Sequence, residues 1–326
     1  MLVYNVVSNN TKETQKLLIG QRGNDDLCGT EASKRIFAIE RGKQMNTIAQ
    51  TEKGPIEYRV VGQGPAVLVL NGGHTHCTSL LGHQRFFVEH GYQLIIPSRP
   101  GYAKTPSLTG RTAEAFADAL IPLLDQLQLK QVIVLGISAG GRTALQFAGR
   151  YPERVSKVIL QNAVTGGKWP SLPTRMMAYL LFNPWVERWT WTAFRWLVKV
   201  APLAALKGMM RSLTTLDPNV VVDTMSQEQR RAALAFLLPS RSGSGFLHDM
   251  RHVCGYLSRI SAPTLIIESK YDGSKDTSHA TYAADHIPNA DLFVIPAESH
   301  LMWFSSFNES IEEKMRAFLL NSQIFR

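Results

Sequence analysis

The 326-residue sequence is poor in cysteine: Cys28, Cys77 and Cys254 lie far apart, and no CxxC pair occurs. An odd, scattered set argues against a disulfide framework and for a reducing compartment, so a cytoplasmic protein is expected. Long apolar runs are also lacking. The longest uncharged apolar stretch, Met176–Val186, is 11 residues broken by Asn183 and Pro184, well short of the ~20 that span a bilayer. The N-terminus turns polar by Ser8, too early for the apolar region of a signal peptide. No integral membrane span is therefore expected. With 24 Gly and 16 Pro the chain is neither collagen-like nor of low complexity, and 44% hydrophobic with 19% charged residues excludes a disordered chain.

Basic charge is in excess: 35 Lys+Arg against 26 Asp+Glu leave +9. A charge of that size raises nucleic acid or an anionic surface as partner, and its location decides between them. Residues 163–262 hold 12 Lys+Arg against five Asp+Glu, whereas residues 263–326 hold five against nine. No nucleic-acid motif accompanies the basic stretch, so no nucleic-acid partner is expected. Five of the six tryptophans share it: Trp169, Trp185, Trp189, Trp191 and Trp196. A basic pocket entrance, or weak association with anionic surfaces, accounts for that pairing better than DNA does.

Along the chain, residues 1–44 lack sustained periodicity and read as a poorly ordered N-terminal extension. A hairpin pair at 46–51 and 56–61 follows, around Gly54-Pro55. Ala66–Leu70 is a wholly apolar run, as expected of a strand buried on both faces, and Gln131–Leu135 reads as another buried strand. Further strands are predicted over 92–96, 155–160, 264–267 and 292–295, and helices over 112–129 and 311–320, with Thr112 as N-cap. Strands alternating with helices imply a parallel sheet. Between 163 and 262 the alternation stops, and helices rich in Trp and Arg are expected there.

Gly136-Ile137-Ser138-Ala139-Gly140 is a G-x-S-x-G pentapeptide between a strand-like QVIVL and a helix-like GRTALQFAGRYP. Strand, sharp turn and helix are the context in which that motif exposes a nucleophilic serine. Residues two positions either side must be small, because strand and helix approach closely there.

On this motif and its setting, the chain from about Asn46 onward resembles the α/β-hydrolase fold family. The resemblance implies a mostly parallel eight-stranded sheet flanked by helices, with an inserted helical cap at 163–262 and a catalytic domain formed by 45–162 and 263–326. It implies a Ser–acid–His triad in that chain order. Asp272, after the strand-like TLIIE, takes the acid's place, with Asp276 as alternative, and His300 follows the last strand. The implied oxyanion donors are the backbone N–H groups of Ala139 and Gly73, with His74 an off-register alternative. Four positions depart from the family's usual residues: Asn71 for His, Ser98 for Asp, Ser269 for Gly and Ser299 for Gly. Haloalkane dehalogenases and epoxide hydrolases are excluded, since they carry Asp where Ser138 stands.

The expected activity is hydrolysis of a small or medium apolar carboxylic ester through an acyl-enzyme. Hydrolases of C–C bonds, lactonases, perhydrolases and proline iminopeptidases share the triad; the scarcity of carboxylates in 163–262 argues mildly against the last. A non-catalytic ligand receptor is the alternative of another class. No cofactor is expected and no metal: His74, His76 and Cys77 lack a carboxylate at ligand spacing, and His248 with His252 reads as a partly exposed helical pair. Substrate contacts are expected from His74, Ile137, Trp185 and Trp189. Trp185, Trp189 and Trp196 share one helical face, expected to pack on the sheet or line the pocket. The partner is a small-molecule substrate, and the oligomeric state is left open.

Overall fold

The computed structural model describes residues 46–79 and 82–321. The segment expected as a poorly ordered extension lies outside them. Eight strands form one sheet: β1 (Thr47–Thr51), β2 (Gly54–Val61), β3 (Ala66–Leu70), β4 (Gln93–Pro97), β5 (Val132–Ile137), β6 (Val155–Gln161), β7 (Thr264–Ser269) and β8 (Ala290–Ile295). Their spatial order is β1-β2-β4-β3-β5-β6-β7-β8. β2 runs antiparallel to β1 and β4, and all other neighbours are parallel. The strands match the apolar runs closely because a strand covered on both faces needs apolar residues at every position.

Alternation along the strands sorts their side chains onto two core faces. Leu68, Leu70, Val134 and Leu160 face helices α2 (Ala113–Gln126), α3 (Gly141–Arg150) and α10 (Ser278–His286). Val67, Val69, Ile133, Leu135 and Ile159 face α1 (Gln84–Glu89) and α11 (Asn308–Leu320). Each fully buried side chain of this size contributes roughly 1.5–3 kcal/mol relative to exposure. At the start of α2 the Thr112 hydroxyl accepts from Ala115 N–H at 3.1 Å, the N-cap its sequence predicts.

Between β6 and β7 the chain leaves the sheet and forms α4 (Leu172–Leu181), α5 (Glu187–Val200), α6 (Pro202–Met210), α7 (Pro218–Thr224), α8 (Gln227–Leu237) and α9 (Gly245–Asp249). Leu206, Met210, Val222, Ala233 and Leu237 of this insert join the α1/α11 core face. Ala178, Phe246 and Met250 pack instead with Tyr102, Ala139 and Val164. The insert is thus docked through two separate apolar clusters.

One buried group makes the fold acid-sensitive. His279 of α10 accepts from Thr165 N–H through Nδ1 at 3.2 Å. Burial, with Lys275 and Arg142 nearby, pushes its pKa down to about 4. A histidine depressed in the folded state contributes stability fully above its unfolded value of about 6.5, lost as pH falls through the folded value. Urea unfolding at pH 7 and at about pH 4.5 should therefore show the native chain losing on the order of 2 kcal/mol more than His279→Gln, which stays neutral.

Candidate functional site

β5 runs into a single tight turn, Ser138–Gly140, before α3 begins at Gly141. Ser138 has φ +50°, a conformation costing on the order of 1–3 kcal/mol for a non-glycine residue. The turn is that sharp only because its neighbours are small. A Cβ added at Gly136 would stand 2.6 Å from Ala144 Cβ, and one at Gly140 only 2.1 Å from Leu70 O. Among the described residues the Ser138 hydroxyl has no hydrogen-bond partner, and it lines a cavity of about 580 Å³.

The loop after β3 lies against this serine. A Cβ on Gly72 would be 3.1 Å from Ser138 Cβ and 3.7 Å from its Oγ. Gly72 O accepts from Thr75 Oγ1 at 2.8 Å and from Arg99 Nη2 at 2.9 Å. In a trans peptide C=O and N–H point in opposite directions. Holding Gly72 O toward Arg99 therefore turns the Gly73 N–H away from it, and Gly73 lines the cavity. Ala139 follows Ser138 in the first turn, where backbone donors have no intrahelical partner. Asn71 Nδ2 donates to His76 O at 3.2 Å, closing the loop where a histidine is usual.

His300 follows β8 and also lines the cavity. Its Nδ1 is 2.7 Å from Oδ2 of Asp272, which follows β7. The other oxygen of Asp272 accepts from Ser274 N–H at 2.7 Å and Ser274 Oγ at 2.8 Å. Burial drives the Asp272 pKa upward, but the imidazole, Lys275 and Ser274 outweigh it and hold the carboxyl below its usual value. Asp276 stands apart: it caps Ser278 N–H at 2.8 Å from an exposed position. Behind Asp272, Lys275 Nζ is 2.6 Å from Glu268 Oε2 and 3.8 Å from Asp272 Oδ2, all three groups buried.

Asn162, at the end of β6, ties these loops together. Its Nδ2 donates to His300 O at 2.8 Å and to Ser269 Oγ at 2.9 Å, and its Oδ1 accepts from Ser269 N–H at 2.7 Å. Ser269 thus departs from glycine because its hydroxyl has a partner. The same holds for Ser98, whose Oγ donates to Glu57 Oε2 at 3.1 Å: a glutamate on β2 supplies the carboxylate that an aspartate at 98 otherwise would. Asn162 carries no local sequence signal, since its partners are brought in by the fold from more than 100 residues away; Ser274 and Lys275 lie only two and three residues past Asp272.

The cavity is walled by Ile137 and His74 together with Phe182, Trp191, Phe246 and Trp303. His74 Nδ1 pairs with Ser242 Oγ at 2.7 Å, and its ring lies 4.0 Å from Phe246 and 4.6 Å from Phe182. Burial pushes its pKa down to about 4, so it is a neutral wall at pH 7. Trp185 and Trp189 are not at the cavity: they are 88% and 71% exposed, and Trp196 is 63% exposed. Their spacing does set Trp189 and Trp196 on one face of α5, but the face that packs inward carries Trp191, Phe194 and Val198. Both faces are apolar, so periodicity alone cannot say which is buried. His252 differs too: α9 ends at Asp249, and His252 lies buried beyond it with neither ring nitrogen hydrogen-bonded, Nδ1 standing 3.8 Å from Asp249 Oδ1.

A family model described as alpha/beta hydrolase fold matches residues 65–306. The chain belongs to the α/β-hydrolase fold family. Like its relatives in that family, it is a hydrolytic enzyme. It is 36% identical over 256 residues to an uncharacterized hydrolase, YcgS, of Bacillus subtilis, covering 77% of this chain and 89% of that protein. It is 29% identical over 265 residues to a 2-hydroxy-6-oxo-6-phenylhexa-2,4-dienoate hydrolase of Burkholderia cepacia, covering 76% and 87%. Among solved structures, an alpha/beta hydrolase fold protein from Nakamurella multipartita superposes with TM-score 0.72 at 24% identity, over 84% of this chain and 99% of that one. At that identity the superposition speaks for the fold alone.

Proposed function

We propose that this hydrolase cleaves carboxylic esters of small or medium apolar acids or alcohols, with Ser138 as nucleophile, His300 as base and Asp272 as its orienting acid. The carrying observation is the 2.7 Å contact between His300 Nδ1 and Asp272, with His300 and the strained Ser138 lining one cavity. With the Nδ1 proton held by the carboxylate, Nε2 of the neutral imidazole is the free acceptor. Nε2 takes the Ser138 proton as Oγ bonds to the acyl carbon. The imidazolium then protonates the leaving alcohol, and water attacking the acyl-enzyme repeats the cycle and releases the acid. Backbone N–H groups of Gly73 and Ala139 receive the oxyanion, each donor of this kind being worth about 2.7–4 kcal/mol of barrier.

The helical insert acts as the cap in this reading, since Phe182, Trp191, Phe236 and Phe246 close the cavity above Ser138. An apolar wall around few polar groups suits an uncharged substrate. Turnover of p-nitrophenyl esters of graded chain length tests the proposal: a rise in kcat/KM from acetate to medium chains is expected. Folded protein that neither turns these over nor is labelled by a fluorophosphonate would favour a ligand receptor.

One observation favours a second reading, C–C bond hydrolysis of an acidic substrate. Arg211 lines the cavity and makes no ion pair with a described residue. A free guanidinium there would hold a carboxylate, a group present in the dienoates that several relatives' names carry. Arg211→Ala is then expected to raise KM for an oxodienoate substrate by about tenfold while shifting neutral esters less than about twofold. Equal effects on both classes would leave only the ester reading.

A further inference from the structure

The insert presents an apolar surface that no other described residue covers. Of the 19 exposed large hydrophobic residues among those described, 12 fall between 172 and 203. Helix α4 is apolar on two sides: Ala178 and Leu181 line the cavity, while Leu172, Met176 and Leu180, each four residues apart, face outward. Trp185 in the turn before α5, and Trp189 and Trp196 on α5, are exposed as well. Surfaces of this extent on a soluble fold mark an interaction site.

Charge identifies the partner. Arg188, Arg195 and Lys199, separated by seven and four residues, form one stripe beside the exposed tryptophans of α5. Arg188 and Lys199 make no ion pair with a described residue. The sole acid in 172–203 is Glu187, which is buried and bound by Arg241 at 2.9 and 3.0 Å. A two-fold contact between copies of this chain would bring basic stripe to basic stripe, with no exposed acid in the segment to answer it. An anionic bilayer answers it throughout: tryptophan rings favour the headgroup region, and the arginines and lysine meet lipid phosphates. No described helix is long and apolar enough to cross a membrane, so the helices would lie in the surface.

We propose that the outer face of α4 and α5 docks this enzyme on bilayers carrying anionic phospholipids. Cosedimentation of the full chain with vesicles tests it. Vesicles with about 30% phosphatidylglycerol in phosphatidylcholine should bind at least about tenfold more protein than phosphatidylcholine alone, and high salt should reverse most of this. Arg188→Glu with Lys199→Glu, and separately Trp185→Ser with Trp189→Ser, should each lower binding by about tenfold or more, with far-UV circular dichroism unchanged. Brominated phosphatidylglycerol should quench the tryptophan emission of the native chain, a readout that needs no variant. Absence of quenching, or binding without preference for anionic vesicles, overturns the proposal. So does a dimer in sedimentation equilibrium that Trp185→Ser with Trp189→Ser converts to monomer, since that assigns the face to a second copy.

Discussion

Ser138→Ala is expected to lower ester turnover by about 10⁴-fold or more and to abolish fluorophosphonate labelling, while the protein remains folded. The fold should survive because alanine keeps the Cβ that the φ +50° turn already accommodates, and the hydroxyl it removes has no partner among the described residues to orphan. His300→Ala should cost about as much, and the double variant little more than either single one, because nucleophile and base act as one unit. Asp272→Asn should cost about 10⁴-fold for a different reason. Its amide would present a donor where His300 Nδ1–H now meets an acceptor at 2.7 Å, turning the imidazole to the wrong tautomer. Stopped assays on purified variants, with circular dichroism alongside, read all four. Additive losses in the double variant would mean that Ser138 and His300 act in separate steps, against the mechanism proposed.

Much of this arrangement is legible in the sequence, for an identifiable reason. The central strands are visible because AVLVL and VIVLGI are buried at every position, which leaves an unbroken apolar signature. The turn at Ser138 is visible because its sterics admit only small residues two positions away. What escapes notice is whatever depends on residues brought from afar. Asn162 meets the carbonyl of His300 across 138 positions, and Arg99 meets Asp249 across 150. Neither contact leaves a local pattern. The tryptophans of α5 show a different limit. A helix with two apolar faces has a clear period, yet which face meets the core is set by the surface it docks on. The departures at Asn71, Ser98 and Ser269 are intermediate: the odd residue is visible in the sequence, while the partner that explains it is not.

Removing the carboxylate of Asp249 should produce the largest loss of stability among single substitutions outside the sheet core. Asp249, at the end of α9, and Arg99, after β4, are both buried, and each guanidinium Nη donates to its own carboxylate oxygen, Nη2 at 2.8 Å. Tyr102 Oη donates to the same carboxylate at 2.6 Å. Burial alone would lower the Arg99 pKa, yet Asp249 holds it above its usual value. Asp249→Ala therefore strands a buried cation and a buried hydroxyl, at a cost of about 3–5 kcal/mol measured by urea unfolding. Rate should fall with stability, because Arg99 Nη2 also holds Gly72 O at 2.9 Å and so aims the Gly73 N–H. The two effects can be separated. Replacing a buried ion pair with apolar residues of similar volume is often neutral for stability, so Asp249→Leu with Arg99→Met should recover most of the unfolding free energy. It should not recover kcat, which is expected to stay about tenfold low, because Thr75 alone then fixes the Gly72 carbonyl. Full recovery of both would reduce the pair to a tether between insert and sheet. Recovery of stability without rate would make Arg99 the residue that positions the oxyanion donor.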